Sequence, residues 1–122
     1  MSNPIGWFEI YVQDMSRAKK FYQTVFQVEL SALGGGDMEM WAWPGSMDSY
    51  GAPGALVKMA GMPSGGNSTL VYFSCADCEV EAGRVAGAGG KVVKEKFGIG
   101  EYGFIALAHD TEGNMFGLHS MK

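Results

Sequence analysis

Glu9 stands in the stretch Trp7-Phe8-Glu9-Ile10-Tyr11-Val12, where side chains of two kinds alternate. Alternation of period two describes a strand with one buried face. Trp7, Glu9 and Tyr11 therefore share one face, and Phe8, Ile10 and Val12 the other. A carboxylate set among aromatic rings is costly unless it is paired or wet. Such a group acts as a general base or anchors a polar group of a ligand; the plainer alternative is a solvated or interface carboxylate. Cys75 and Cys78 form C-x-x-C, but no second pair follows to complete a zinc site. Alternation also turns Cys75 toward the buried face, so both cysteines read as structural. Gly98-x-Gly100-x-x-Gly103 has the letters of a dinucleotide-binding loop, yet it precedes a strand pattern rather than a helix, and that reading fails. His109 reads as a turn residue. His119 lies near the end of the last strand pattern, where a hydrogen-bonded histidine is the simplest reading.

The elements that position these residues occur twice. Phe8, Ile10 and Val12 end at Asp14; Val71, Phe73 and Cys75 end at Asp77. Asp at such a junction is a good helix N-cap, because its carboxylate accepts the orphan N–H groups of the first turn. A strand over 5–13 precedes a helix over 15–27, with Met15, Ala18, Phe21, Tyr22 and Val25 at helical spacing. Strands follow over 28–33, 37–43 and 54–60, separated by the glycines at 34–36 and by a loop over 44–53 with Pro44, Gly45, Gly51 and Pro53. The second half repeats the order: strand 68–76, a glycine-weakened helix 78–88, strand 91–95, loop 97–101, strand 102–109, turn 110–114 and strand 115–121. The chain is expected to be a single domain over 1–122, with one module over 1–61, a linker over 62–67 and a second module over 68–122.

Composition narrows the function. A chain of 122 residues can bury a core without staples, and 47% hydrophobic with 18% charged residues describes a globular protein. The net charge of −4 and the lack of a basic run speak against a nucleic-acid partner and give no reason for a membrane surface. No apolar run reaches spanning length, and the first residues lack the basic and apolar regions of a signal peptide, so a soluble cytoplasmic protein is expected.

Three stretches resemble the glyoxalase/bleomycin-resistance/dioxygenase family, the vicinal oxygen chelate superfamily. They are Phe8 to Phe26, Ala88 to Val93, and Asp110-Thr111-Glu112-Gly113-Asn114-Met115-Phe116-Gly117-Leu118, which is close to that family's D-P-x-G-N-x-F-x-L ending. The resemblance implies an α+β fold of two βαβββ modules whose curled mixed sheets surround a cavity, and it implies a homodimer. Its chemistry is broad: isomerases, lyases, ring-cleaving dioxygenases and drug-sequestering proteins. Metal-using members carry a His, Gln or Glu seven residues before the Asp that ends each first strand. Here those positions are Trp7 and Leu70. A further ligand is expected on each module's last strand, at Gly117 and within Gly54-Ala55-Leu56. None offers a side-chain oxygen or nitrogen, so the expectation is no metal and no cofactor.

What remains is an aromatic hollow. By strand parity Leu70, Tyr72 and Ser74 join Trp7, Glu9 and Tyr11 on the concave face, as do Met115, Gly117 and His119; Trp41 and Trp43 are placed there too. The candidate ligand-binding residues are thus Trp7, Glu9, Tyr11, Trp41, Trp43, Tyr72 and His119, and Glu9 is the candidate catalytic residue. Burial among the rings would raise its pKa. Binding or sequestration of a small apolar or aromatic compound is the leading expectation. The alternatives are a metal-independent lyase or isomerase with Glu9 as general base, and an interaction module with a vestigial cavity.

Overall fold

Each half of the chain folds as a strand, a helix and three further strands. The computed structural model describes residues 3–34, 36–46 and 48–122. Gly35 of the expected glycine turn and Met47 of the expected loop lie outside the described residues. The first half comprises β1 (Phe8–Tyr11), α1 (Met15–Phe26), β2 (Ser31–Leu33), β3 (Glu39–Ala42) and β4 (Gly54–Lys58). The second comprises β5 (Val71–Ser74), α2 (Cys78–Val85), β6 (Lys91–Gly98), a 3-10 turn (Gly100–Tyr102), β7 (Phe104–His109) and β8 (Met115–Ser120). The sheets run β1-β4-β3-β2 and β5-β8-β7-β6. β1 pairs parallel with β4 and β5 parallel with β8, while the other pairings are antiparallel. The fold is α+β, with two mixed sheets of equal topology that do not close into a barrel.

Both helices start where the sequence places them. The Asp14 side chain accepts from the Arg17 N–H at 3.1 Å, and Asp77 from the Glu79 N–H at 3.0 Å. α1 ends at Gln27, which adopts a left-handed conformation at φ 54° and donates its N–H to the Gln23 carbonyl. α2 stops at Val85, three residues before its expected end; Ala88 and Gly89 instead form turn hydrogen bonds to Arg84 and Ala86. The expected loop over 97–101 is also shorter. β6 continues through Gly98, with irregular register at Val92–Lys94 and Lys94–Phe97 that lets the strand follow β7. Tyr102 belongs to the 3-10 turn, and β7 starts only after Gly103, whose φ of +101° breaks the extended backbone.

The core joins both halves. The α1 side chains Met15, Ala18, Phe21, Tyr22 and Val25 are buried. The Tyr22 ring lies 5.3 Å from that of Trp43 in the first half and 5.7 Å from Phe116 in the second. Phe26 meets Phe73 at 4.5 Å, and Phe8 meets Phe73 at 5.9 Å. Close aromatic packing of this kind stabilises by burial and by edge and offset ring contacts.

The turn over Asp110–Asn114 anchors this arrangement. The Glu112 side chain is fully shielded and accepts from the Gln13 N–H (2.8 Å), the Asp14 N–H (2.9 Å), Arg17 Nε (2.7 Å) and Nη2 (3.0 Å), and the Thr111 hydroxyl (2.9 Å). Asp110 accepts from the buried Tyr22 hydroxyl at 2.6 Å and from the N–H groups of Glu112 and Asn114. Burial alone would raise the Glu112 pKa. The hydrogen bonds from Arg17, the Asp14 and Gln13 amides and Thr111 outweigh it and lower the pKa from 4.5 to about 2. A depressed carboxylate pKa contributes stability above its unfolded value that is lost as pH falls through the folded one. Glu112 therefore contributes about 3 kcal/mol that disappears between roughly pH 4.5 and pH 2. Glu112→Gln should lower the unfolding free energy at neutral pH by about 2–4 kcal/mol and flatten its slope across that acid window. Denaturant unfolding of both proteins as a function of pH checks this; an unchanged slope would show that Glu112 is not the titrating clamp.

Candidate functional site

Strand parity brings Trp7, Glu9 and Tyr11 onto one face of the first sheet, away from α1. The Trp7 indole N–H donates to one Glu9 oxygen at 3.2 Å, and the Tyr11 hydroxyl to the other at 2.8 Å. The Tyr11 pKa is raised, first by that hydrogen bond, then by desolvation and the Glu9 charge. Glu9 itself is exposed, so the burial expected from its aromatic neighbours is corrected: the rings flank the carboxylate without covering it. Trp7 is 42% exposed. The carboxylate is paired by Tyr11, with Trp7 as the second donor.

Register explains why there is room beside Glu9. Glu9 pairs with Ala55, and Ala55 with Ala42, so its row across the sheet holds small side chains. In the second sheet Tyr72 takes the equivalent place and pairs with Gly117. A Cβ at Gly117 would collide with the Tyr72 ring, which therefore fills the space of a side chain at 117. Tyr72 is 45% exposed on that face. His119 lies on the same face, with its Nε2 2.6 Å from the Tyr102 carbonyl oxygen.

Trp41 and Trp43 are not brought to this face. Trp41 pairs with Leu56, in the row of Ile10, and its ring lies under the α1 ammonium of Lys19 at 3.3 Å. Trp43 packs among Phe8, Tyr22 and Phe73 in the core. The indoles fill the deep space under the helix, while the narrower Met40 and Ala42 take the open face.

A cleft of about 310 Å³ opens beside Glu9 and Tyr11. Its other wall is the segment 63–69, together with Asn114 and Met115. That segment is held in place by the turn described above. The Gly65 N–H donates to Asn114 Oδ1 at 2.6 Å, Ser64 Oγ donates to the Glu112 carbonyl at 2.7 Å, and Asn67 bonds both the amide and the carbonyl of Met115. Gly65 is required there: its φ is +83°, and a Cβ would press on the Gly113 carbonyl oxygen at 3.1 Å. Sequence reasoning treated this segment only as a linker. Its glycines, Ser64 and Asn67 were the available signal, but their partners lie almost fifty positions away.

The cysteines form no site. Cys78 is buried and Cys75 half-buried, both free. Burial, with Glu81 beside it, pushes the Cys75 thiol up to about 12, far from a reactive thiolate. Nor do the residues fit the metal of the resembling family. Trp7, Leu70, Gly117 and the Gly54-Ala55-Leu56 stretch present no donor side chains, and Tyr72 covers Gly117. Among the described residues, no three His, Cys, Asp or Glu side chains form a group that could hold a metal ion. No helix among them is long and apolar enough to cross a membrane.

The profile of the Glyoxalase/Bleomycin resistance protein/Dioxygenase superfamily matches residues 4–118. Among curated proteins, none is similar enough in sequence to count as a relative. Solved structures share the fold at low identity. A glyoxalase I mutant from Zea mays is 18% identical with a TM-score of 0.75, over 97% of this chain and 47% of the maize chain, so the present chain spans about half of that protein. An antibiotic binding protein from a Streptomyces species is 22% identical with a TM-score of 0.70, over 98% of this chain and 96% of its own. A glyoxylase/bleomycin resistance protein/dioxygenase domain from a Frankia species is 13% identical with a TM-score of 0.72, each chain being covered completely. From the side chains at the ligand positions, purified protein should retain no stoichiometric zinc, nickel, iron or manganese after chelator treatment. Elemental analysis finding about one firmly held metal per chain would overturn this and move the site to Glu9, His109 or His119.

Proposed function

The chain belongs to the glyoxalase/bleomycin resistance protein/dioxygenase superfamily, and on that premise we propose that it binds or sequesters a small aromatic or apolar molecule without a metal. The observation that carries this reading is Glu9, which lines the cleft and is held there by hydrogen bonds from Trp7 and Tyr11. A concave site with aromatic walls and a few placed polar groups is the usual form of a small-molecule site. The antibiotic binding protein among the structural neighbours supports the same class of function. Use of Glu9 as a general base in a lyase or isomerase is the weaker reading. Both of its oxygens already accept hydrogen bonds, and the side chain is exposed to solvent.

Glu9→Gln keeps the side-chain shape and removes the charge. Because Glu9 is exposed, the variant should unfold within about 0.5 kcal/mol of wild type. It should lose about tenfold or more in affinity for any compound that quenches tryptophan fluorescence in the wild-type protein, since hydrogen bonds to charged groups exceed neutral ones by that order. Equal affinities in the two proteins would remove Glu9 from the site.

We further infer a homodimer. Trp7, Leu33, Met38 and Tyr72 are large apolar side chains left exposed on the described surface, and β2 and β6 are outer sheet edges. Open sheet edges of this kind favour self-association. Light scattering at micromolar concentration should give twice the chain mass; a monomeric mass would refute it.

A further inference from the structure

The chemistry of the ligand can be taken one step beyond the reading of the cleft as a binding site, on which this inference rests. Among the described residues, no Lys, Arg or His lines the cleft, and Glu9 is its one acidic side chain. Of the cations on the nearby helix, the exposed Lys20 does not line the cleft, and the other two are engaged elsewhere. Arg17 is bonded to Glu112, and Lys19 lies over the Trp41 ring on the opposite face of the sheet. A carboxylate has about four lone-pair directions. Trp7 and Tyr11 occupy one on each oxygen, which leaves both oxygens able to accept again.

A group that donates into those directions gains, and a group that only accepts is repelled. The half-exposed Trp7 and the Tyr11 ring flank the same carboxylate. The two rings turn their donor edges, the indole N–H and the phenol O–H, to Glu9, so the full charge of the carboxylate is what attracts an organic cation. The net charge of −4 acts in the same sense at longer range. We propose that the cleft selects an organic cation, a protonated amine carried on an aromatic body, and discriminates against aromatic anions. The amine N–H groups donate to the free lone pairs of Glu9, and the aromatic body lies against the wall formed by Tyr11 and the segment 63–69.

The test uses three probes of one shape and three charges: naphthylmethylammonium, naphthylmethanol and naphthoate. Each is titrated into the whole chain, following the backbone amides of Glu9, Tyr11 and residues 64–69 and the Trp7 indole N–H by NMR. The expected result is binding of the ammonium about tenfold tighter than the alcohol, no saturable binding of naphthoate, and weakening of the ammonium alone as salt is raised. Glu9→Gln should bring the ammonium and the alcohol to equal affinity. If the alcohol or naphthoate shifts the same signals with the affinity of the ammonium, the cation inference is overturned while the cleft remains the binding site. If Glu9→Gln leaves the preference for the ammonium intact, the inference is overturned as well. If no probe moves those signals, the binding-site reading falls, and the inference falls with it.

Discussion

The Glu112 carboxylate joins the end of the chain to its beginning, and the rest of the molecule depends on that joint. It fixes the junction between β1 and α1 by accepting from the Gln13 and Asp14 amides just ahead of the helix, and it draws Arg17 onto itself. A buried carboxylate is unfavourable by itself; five donors convert it into a clamp. Because α1 belongs to the first half and Glu112 to the second, the clamp sets how the two halves meet. The neighbouring Asn114 then bonds the Tyr11 carbonyl at 3.0 Å and the Gly65 amide, so one turn positions the end of β1 and the far wall of the cleft together. The turn is not itself the site. It is the reason that Glu9 and the segment 63–69 face each other across a defined gap.

The two halves share a topology and differ in what fills it. Glu9 and Tyr72 hold equivalent positions, paired with Ala55 and Gly117. In the first half a charged group stands over a small residue and is held by two aromatic donors. In the second an aromatic ring lies across a glycine and fills the space. Equal backbones with unequal side chains thus give the first half a carboxylate where the second half has a ring. That is the general pattern in a fold that hosts many chemistries: the strands supply positions, and the residues on them decide what is done there.

Much of this was legible because it is local. Asp14 and Asp77 cap the helices as read, since an N-cap needs only its own first turn. The face shared by Trp7, Glu9 and Tyr11 follows from the pleat of a single strand. The parity of β3 was not legible in the same way. Met38, Met40 and Ala42 on one side and Trp41 and Trp43 on the other give two apolar faces, and only the volume under α1, beside Tyr22 and Phe73, decides which turns inward. Alternation also says which face Glu9 takes but not whether that face is closed, and here it is open. The weight carried by Glu112 was invisible for another reason. Its family-like turn could be recognised by its letters, but its partners lie more than ninety positions away in sequence.

The openness of the Glu9 face would tie the proposed binding to the proposed dimer. An exposed carboxylate in water interacts weakly, because solvent screens it and competes for its lone pairs. Its strength as an anchor therefore rests on what excludes water from it. In the proposed complex the aromatic body of the ligand would do part of this by covering the carboxylate. A second copy of the chain packed over Trp7 would do more, by lowering the local dielectric around Glu9. Affinity and self-association would then reinforce each other through one surface, since each removes water that opposes the other. Trp7 and Tyr11 hold the carboxylate in place, and in the proposed assembly their rings would also be apolar area whose burial strengthens it.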